Sequence, residues 1–236
     1  MNGARLALGT VGALALAAAL RRRGSRSDLP DWQDIRFYRG VLNTPDGPVK
    51  LRCIGRGTFS KAYLDNVSGK VWLITYGRSM DKEILSELYD EALGNPHLPL
   101  VERMGTTVNW ENVYRMPHYG RLMKARSPKA WSQYRAMRRC LDSANVMRRT
   151  EHDGHFIATE VLVCLSDLVD SQDEKKNALL QPYKALASIV RAMSDYSDAF
   201  TLEFSPRNLA VDDDGNLVLL DVMFDAELLN SMRGMG

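Results

Sequence analysis

Two oxygen-bearing side chains, Asn208 and Asp221, bracket the segment Asn208-Leu-Ala-Val-Asp-Asp-Asp-Gly-Asn-Leu-Val-Leu-Leu-Asp221, which reads as a β-hairpin. Apolar runs from Leu209 to Val211 and from Leu217 to Leu220 flank Asp214-Gly215. That dipeptide favours a two-residue turn with positive φ at both central positions. Centring the turn there opposes Val211 to Val218 and Asn208 to Asp221. An amide and a carboxylate so opposed lie roughly 5 Å apart at Cβ and can share one hydrated divalent cation. Magnesium suits the pair, because it keeps waters and phosphate oxygens and takes only one or two protein oxygens. The plain alternative is a surface hairpin with polar ends. A second carboxylate, Glu203, precedes the amide by five residues in Thr201-Leu-Glu203-Phe-Ser-Pro-Arg-Asn208.

About 150 residues upstream, Ile54-Gly55-Arg56-Gly57-Thr58-Phe59-Ser60-Lys61-Ala62-Tyr63 lies between two strand-like runs. Glycines let a backbone turn sharply and approach phosphate oxygens, and an aromatic tip such as Phe59 can cover a nucleotide. Taken alone, the loop is equally an ordinary hairpin turn. The elements needed to hold these two patches follow in order. Val71 to Ile74 is a buried-strand pattern, Asp81 to Leu93 an amphipathic helix, and Val113 to Gly120 a strand running into a connection. From Asn177 to Phe200, the residues Leu179, Leu180, Tyr183, Leu186, Ile189, Val190 and Met193 recur at helical spacing.

This order of motifs resembles the protein kinase-like superfamily over about residues 48 to 225. Within it, the chain is most similar to the small early Ser/Thr protein kinases of short-tailed (podovirus, autographivirus-type) phages, which carry a similar Gly-x-Gly-x-Phe-Ser-x-Ala-Tyr string and a similar acid-x-x-x-x-Asn hairpin. The resemblance implies an α+β, kinase-like two-lobed fold with a five-stranded antiparallel N-lobe sheet and a truncated helical C-lobe. It implies ATP and Mg2+ as cofactors, with Gly55, Gly57, Phe59, Ser60 and Lys61 binding the nucleotide. Asn208 and Asp221 would hold the metal, and Glu203 would accept the substrate hydroxyl proton.

Three departures from the family pattern bear on rate. The strand lysine expected to reach the phosphates aligns with Thr75, which supplies no cation; Lys61 is the nearest substitute, and Glu83 or Glu87 its nearest acidic partner. Glu203 stands where an aspartate is usual, and misplacing a reacting group by about 1 Å can cost about a hundredfold in rate. Only fifteen residues follow Asp221, too few for a conventional activation segment. The expected function is slow phosphotransfer to protein Ser/Thr hydroxyls. Two alternatives stay open: an inactive pseudokinase that binds or inhibits a bacterial host or virion protein, and a small-molecule kinase.

Composition sets outer bounds. At 236 residues and 45% hydrophobic content, a single domain with its own core is expected at residues 48–236, divided near 117, after a linker at 28–47. Cys53, Cys140 and Cys164 follow no zinc or redox spacing and point to a reducing compartment. The four histidines form no ligand set, and Asp212-Asp-Asp-Gly215 is no EF-hand, because its first ligand would be Ala210. The net charge of +2 is local: residues 1–27 hold five arginines and no acid, leaving about −3 for the other 209 residues. Arg121 to Arg149 carries nine basic residues with Trp131 and Tyr134 interspersed, a pattern for nucleic acid or an acidic partner or, more commonly, a solvated helix face. Nucleic acid is not the expected partner. The uncharged run Leu6 to Leu20, bounded by arginines, is read as a weak membrane contact through residues 4–23, with the body in the host cytoplasm or on the cytoplasmic side of a membrane.

Overall fold

The structure, a computed structural model, describes residues 32–75, 79–91, 95–143, 161–163, 174–196 and 200–234. The apolar leader expected at residues 4–23 lies outside them. The described residues belong to one compact unit, Asp31–Gly236.

Seven strands form a closed barrel: β1 (Trp32–Tyr38), β2 (Val41–Thr44), β3 (Gly47–Arg56), β4 (Ser60–Asp65), β5 (Val71–Thr75), β6 (Glu102–Thr107) and β7 (Asn112–Met116). The order around the barrel is β1-β2-β3-β4-β5-β7-β6, and the sheet is mixed because β1 runs parallel to β6. This overturns the expected kinase-like two-lobed fold with a five-stranded antiparallel N-lobe sheet. β1 and β2 arise from the segment expected to be a linker. By pairing with both β3 and β6 they close the sheet and remove its exposed edges. Closure depends on Gly105, whose φ is 144°; a Cβ there would lie 2.0 Å from the Trp32 carbonyl oxygen, at the point where β1 meets β6.

Two cores share the barrel wall. Ile35, Leu42, Leu51, Tyr63, Trp72, Ile74, Met104 and Val113 fill the interior. Val71 and Leu73, of opposite parity on β5, join a larger core outside it. β5 is therefore buried on both faces, which is why its sequence is a continuous apolar run rather than an alternation. The outer core is built from α1 (Asp81–Glu91), α2 (Pro128–Ser143), α3 (Glu174–Tyr196) and the C-terminal segment. On α3, Tyr183, Leu186, Ile189, Val190 and Met193 are buried, as their spacing required. On α2, Ala130, Met137 and Leu141 are fully buried, and Trp131 and Tyr134 pack against the core, so the aromatics of the basic stretch turn inward.

The remaining strands are short: β8 (Gly120–Arg121), β9 (Phe200–Leu202), β10 (Ala210–Val211), β11 (Leu217–Val218) and β12 (Met223–Asp225). β10 pairs with both β8 and β11, β12 pairs with β9, and α4 (Ala226–Gly234) follows. No helix among the described residues is long and apolar enough to cross a membrane. Cys53 is free and exposed, whereas Cys140 is disulfide-bonded, so the reading of all three cysteines as reduced thiols does not hold for Cys140.

Candidate functional site

The hairpin that carries Asn208 and Asp221 forms, with a different turn. Ala210 pairs with Val218 and Val211 with Leu217, one residue out of the expected register. Gly215 adopts φ 77° but Asp214 does not take a positive φ, so the loop is not the expected two-residue turn. It runs from Asp212 to Asn216, with the Gly215 N–H donating to the Asp212 carbonyl at 3.1 Å and a single left-handed residue closing it. The Asp212 carboxylate also accepts from the Asn216 N–H and side-chain amide, which stabilises the longer form.

Asn208 and Asp221 still meet. The Asp221 N–H donates to the Asn208 carbonyl at 2.9 Å, and the Asn208 Nδ2 amide donates to the Glu203 carbonyl at 3.2 Å. That second bond orients the amide, leaving Asn208 Oδ1 as the atom available to a cation. The Glu203 N–H donates to the Val222 carbonyl at 2.7 Å, tying the segment before the short 3-10 turn Pro206–Asn208 to the residue after Asp221. Phe204 anchors the segment: it is fully buried, stacks on Tyr134 at 5.7 Å, and its carbonyl accepts from Arg138 Nη1 at 3.0 Å.

Glu203, Asn208 and Asp221 open into one cleft of about 740 Å³. Its roof is the β3–β4 loop, including Gly55, Gly57, Phe59 and Ser60, closed by a Gly57 N–H to Ser60 carbonyl bond of 2.8 Å. Ala62, Val71, Leu73, Met116 and Met223 give it an apolar wall. Glu203, Asn208 and Asp221 also line it, with Phe224 of β12 and Leu229 of α4. Of the expected site residues, only Lys61 is absent from the lining; it is exposed on β4, paired with Arg56 on one side and Ile74 on the other. Thr75 is buried, near the Asn112 carbonyl on β7.

The buried cation of the cleft is Lys82, which comes from the first turn of α1 and not from the strand where the resemblance places a lysine. Its ammonium donates to Asp221 Oδ1 at 2.7 Å, to the Leu220 carbonyl at 3.3 Å, and pairs with Asp81 Oδ2 at 3.1 Å. The Lys82 side chain is 5% exposed, against 53% for Asp221. Burial by itself pulls the Lys82 pKa down, but Asp221 and Asp81 together outweigh it and hold the ammonium charged, above the ordinary lysine range. A signal was present in the sequence: a lysine in the first turn of a helix opposes the helix dipole and so calls for nearby carboxylates. Glu83 does not serve as its partner. It accepts from the Tyr114 hydroxyl at 3.0 Å and lies 3.5 Å from Arg103 Nε.

Glu203 carries its own counter-ion, with Arg207 Nη2 donating to Oε1 at 2.5 Å. Whether the residues fit magnesium turns on free oxygens. Asp221 offers Oδ2 and Asn208 offers Oδ1, neither with a hydrogen-bond partner among the described residues, and two such oxygens match what magnesium takes from a protein. No cluster of three or more His, Cys, Asp or Glu side chains able to hold a metal occurs among the described residues.

The architecture is thus a seven-stranded closed barrel packed against helices, with one cleft lined by residues of the barrel, of α1 and of the C-terminal segment. Compared with known proteins, the chain matches no family model and no curated protein.

Proposed function

We propose that this cleft binds ATP with Mg2+ and that the protein transfers the γ-phosphoryl group to Ser or Thr hydroxyls of a protein substrate. The reading rests on the site rather than the fold, since one chemistry recurs on unrelated architectures. The observation that carries it is convergence. A glycine-containing loop, an apolar wall, an amide–carboxylate pair with free oxygens and a separate carboxylate all face one cleft. Its volume lies in the range of ligand pockets, roughly 300–1,000 Å³. Neither Gly55 nor Gly57 has a left-handed φ, and a Cβ at Gly57 would meet only ordinary contacts. The local fold therefore does not demand glycine there, whereas close approach of phosphates to the loop would.

Bound magnesium would neutralise charge developing on the phosphoryl oxygens. Asn208 Oδ1 and Asp221 Oδ2 would hold it. The apolar wall would take the base, and the Gly55–Ser60 loop would cover the phosphates. Glu203 would accept the proton of the attacking hydroxyl as its oxygen bonds to the γ-phosphorus and the bond to the β-phosphate oxygen breaks, releasing ADP. A protein substrate, and a bacterial host cytoplasm or membrane face as the setting, follow from the phage-kinase resemblance. A second reading, nucleotide binding without transfer by a protein that acts through a partner, is favoured by the Glu203–Arg207 pair, which occupies the carboxylate.

The test is incubation of the full chain with Mg2+, γ-labelled ATP and a bacterial lysate, beside an Asp221→Asn control. Label transfer that is lost in the control supports the reading. No transfer above the control, with the protein folded, contradicts it.

A further inference from the structure

Resting on the reading of the cleft as a magnesium–nucleotide site, we propose that Lys82, delivered by the first turn of α1, is the cation that contacts the nucleotide phosphates. β5 cannot supply one, since the residues it presents to the cleft, Val71 and Leu73, are apolar. Arg56, His118 and Arg207 also line the cleft, but all three are exposed, whereas Lys82 is buried and held in one place by its neighbours. A buried ammonium fixed in advance loses little freedom on meeting a ligand, and its attraction is less screened than at the surface.

Position and charge agree. Lys82 Nζ is 2.7 Å from Asp221 Oδ1, and Asp221 would offer its other oxygen to the metal, so a phosphate held by that metal would lie near the ammonium. Of its three contacts, the one to the Leu220 carbonyl is the longest at 3.3 Å, and that donor is the one to redirect. Asp81, Lys82 and Asp221 together carry −1, which repels a polyphosphate; one divalent cation brings the cluster to +1. Metal and nucleotide should therefore each strengthen binding of the other.

The experiment titrates the full chain with Mn2+ alone, read by electron paramagnetic resonance, and with ATP at saturating Mg2+, read by calorimetry. Lys82→Met should weaken ATP about tenfold or more, the scale of a lost hydrogen bond to a charged group. It should leave Mn2+ bound at least as tightly, because the site becomes more negative. A merely structural lysine would lose both together, and an idle one neither; either result in folded protein overturns the assignment. Asp81→Asn, close in shape, should tighten ATP severalfold by releasing Lys82, and decides the matter if Lys82→Met does not fold; unchanged or weaker ATP binding there also overturns it. Should the unaltered chain bind ATP while Lys82→Met binds it equally, only the lysine assignment fails. If the unaltered chain binds no ATP, both readings fail.

Discussion

Lys82 and Asp221 lie 139 residues apart in the chain, yet the ammonium of one sits 2.7 Å from the carboxylate of the other. The contact joins the first turn of α1 to the end of the C-terminal hairpin and puts a buried positive charge beside the proposed metal ligand. An unpaired ammonium at that depth would be costly, so the two elements hold each other in place through the site itself.

Glu203→Gln separates chemistry from binding. The amide keeps the shape and loses the base, so transfer should fall at least about a hundredfold, the size of a general-base contribution. MgATP affinity, set by the loop, the wall and the metal ligands, should stay within about twofold on the same grounds. Steady-state transfer and calorimetry on one preparation check this; an equal loss in both would place Glu203 in binding instead.

Phe204 connects the core to the site. Fully buried and stacked on Tyr134, it should cost about 3–5 kcal/mol when replaced by alanine. Phe204→Leu should cost less stability yet slow transfer by about tenfold or more, since small displacements of the adjacent Glu203 are expensive. Urea melts and initial rates give the two numbers. A rate that follows stability alone would contradict this link.

The apolar periods of α3 and the continuous run of β5 were legible because each reflects one dominant burial pattern. The first barrel strand was not. In β1, Asp34 takes φ 61° and the register shifts between Trp32 and Ile35, so the alternation that marks a strand is broken where β1 meets β6. Without β1 and β2 the remaining five strands read as an open sheet. In the candidate cleft, the nearness of Glu203, Asn208 and Asp221 to one another was readable because local chain geometry assembles them. Lys82 comes from a distant helix, and only packing brings it there. The hairpin turn differs from the one Asp-Gly specifies because Asp212 accepts bonds from Asn216, which favours a longer loop.

Gly105→Ala tests barrel closure. With a Cβ built 2.0 Å from the Trp32 carbonyl oxygen, β1 must separate from β6 or the backbone must move. The expected loss is roughly 2–4 kcal/mol, on the scale of overpacking combined with left-handed strain. Equilibrium unfolding in urea measures it, and a loss below about 0.5 kcal/mol, the ordinary surface range, would mean the parallel pairing is dispensable.

His97 gives a pH dependence. It is 4% exposed, and its Nδ1–H donates to the Leu217 carbonyl at 2.6 Å. Burial chiefly holds its pKa below the ordinary value; the Leu217 bond and Asp212 oppose that, while Lys129 reinforces it. The folded state thus binds a proton less readily than the unfolded one, whose histidine titrates near 6.5. Stability should be intact above about pH 6.5 and decline as pH falls toward the lower folded value. Urea midpoints across pH 5 to 8 should show that decline, and His97→Gln should flatten it. An identical slope in the variant would assign the dependence elsewhere.

The most direct measurement is calorimetric titration of the full chain with ATP, with and without Mg2+, beside Asp221→Asn. Saturable binding that requires the metal and disappears in the variant is the expected result. No binding by unaltered protein with a cooperative melt, or binding indifferent to both magnesium and Asp221, would contradict the assignment of this cleft.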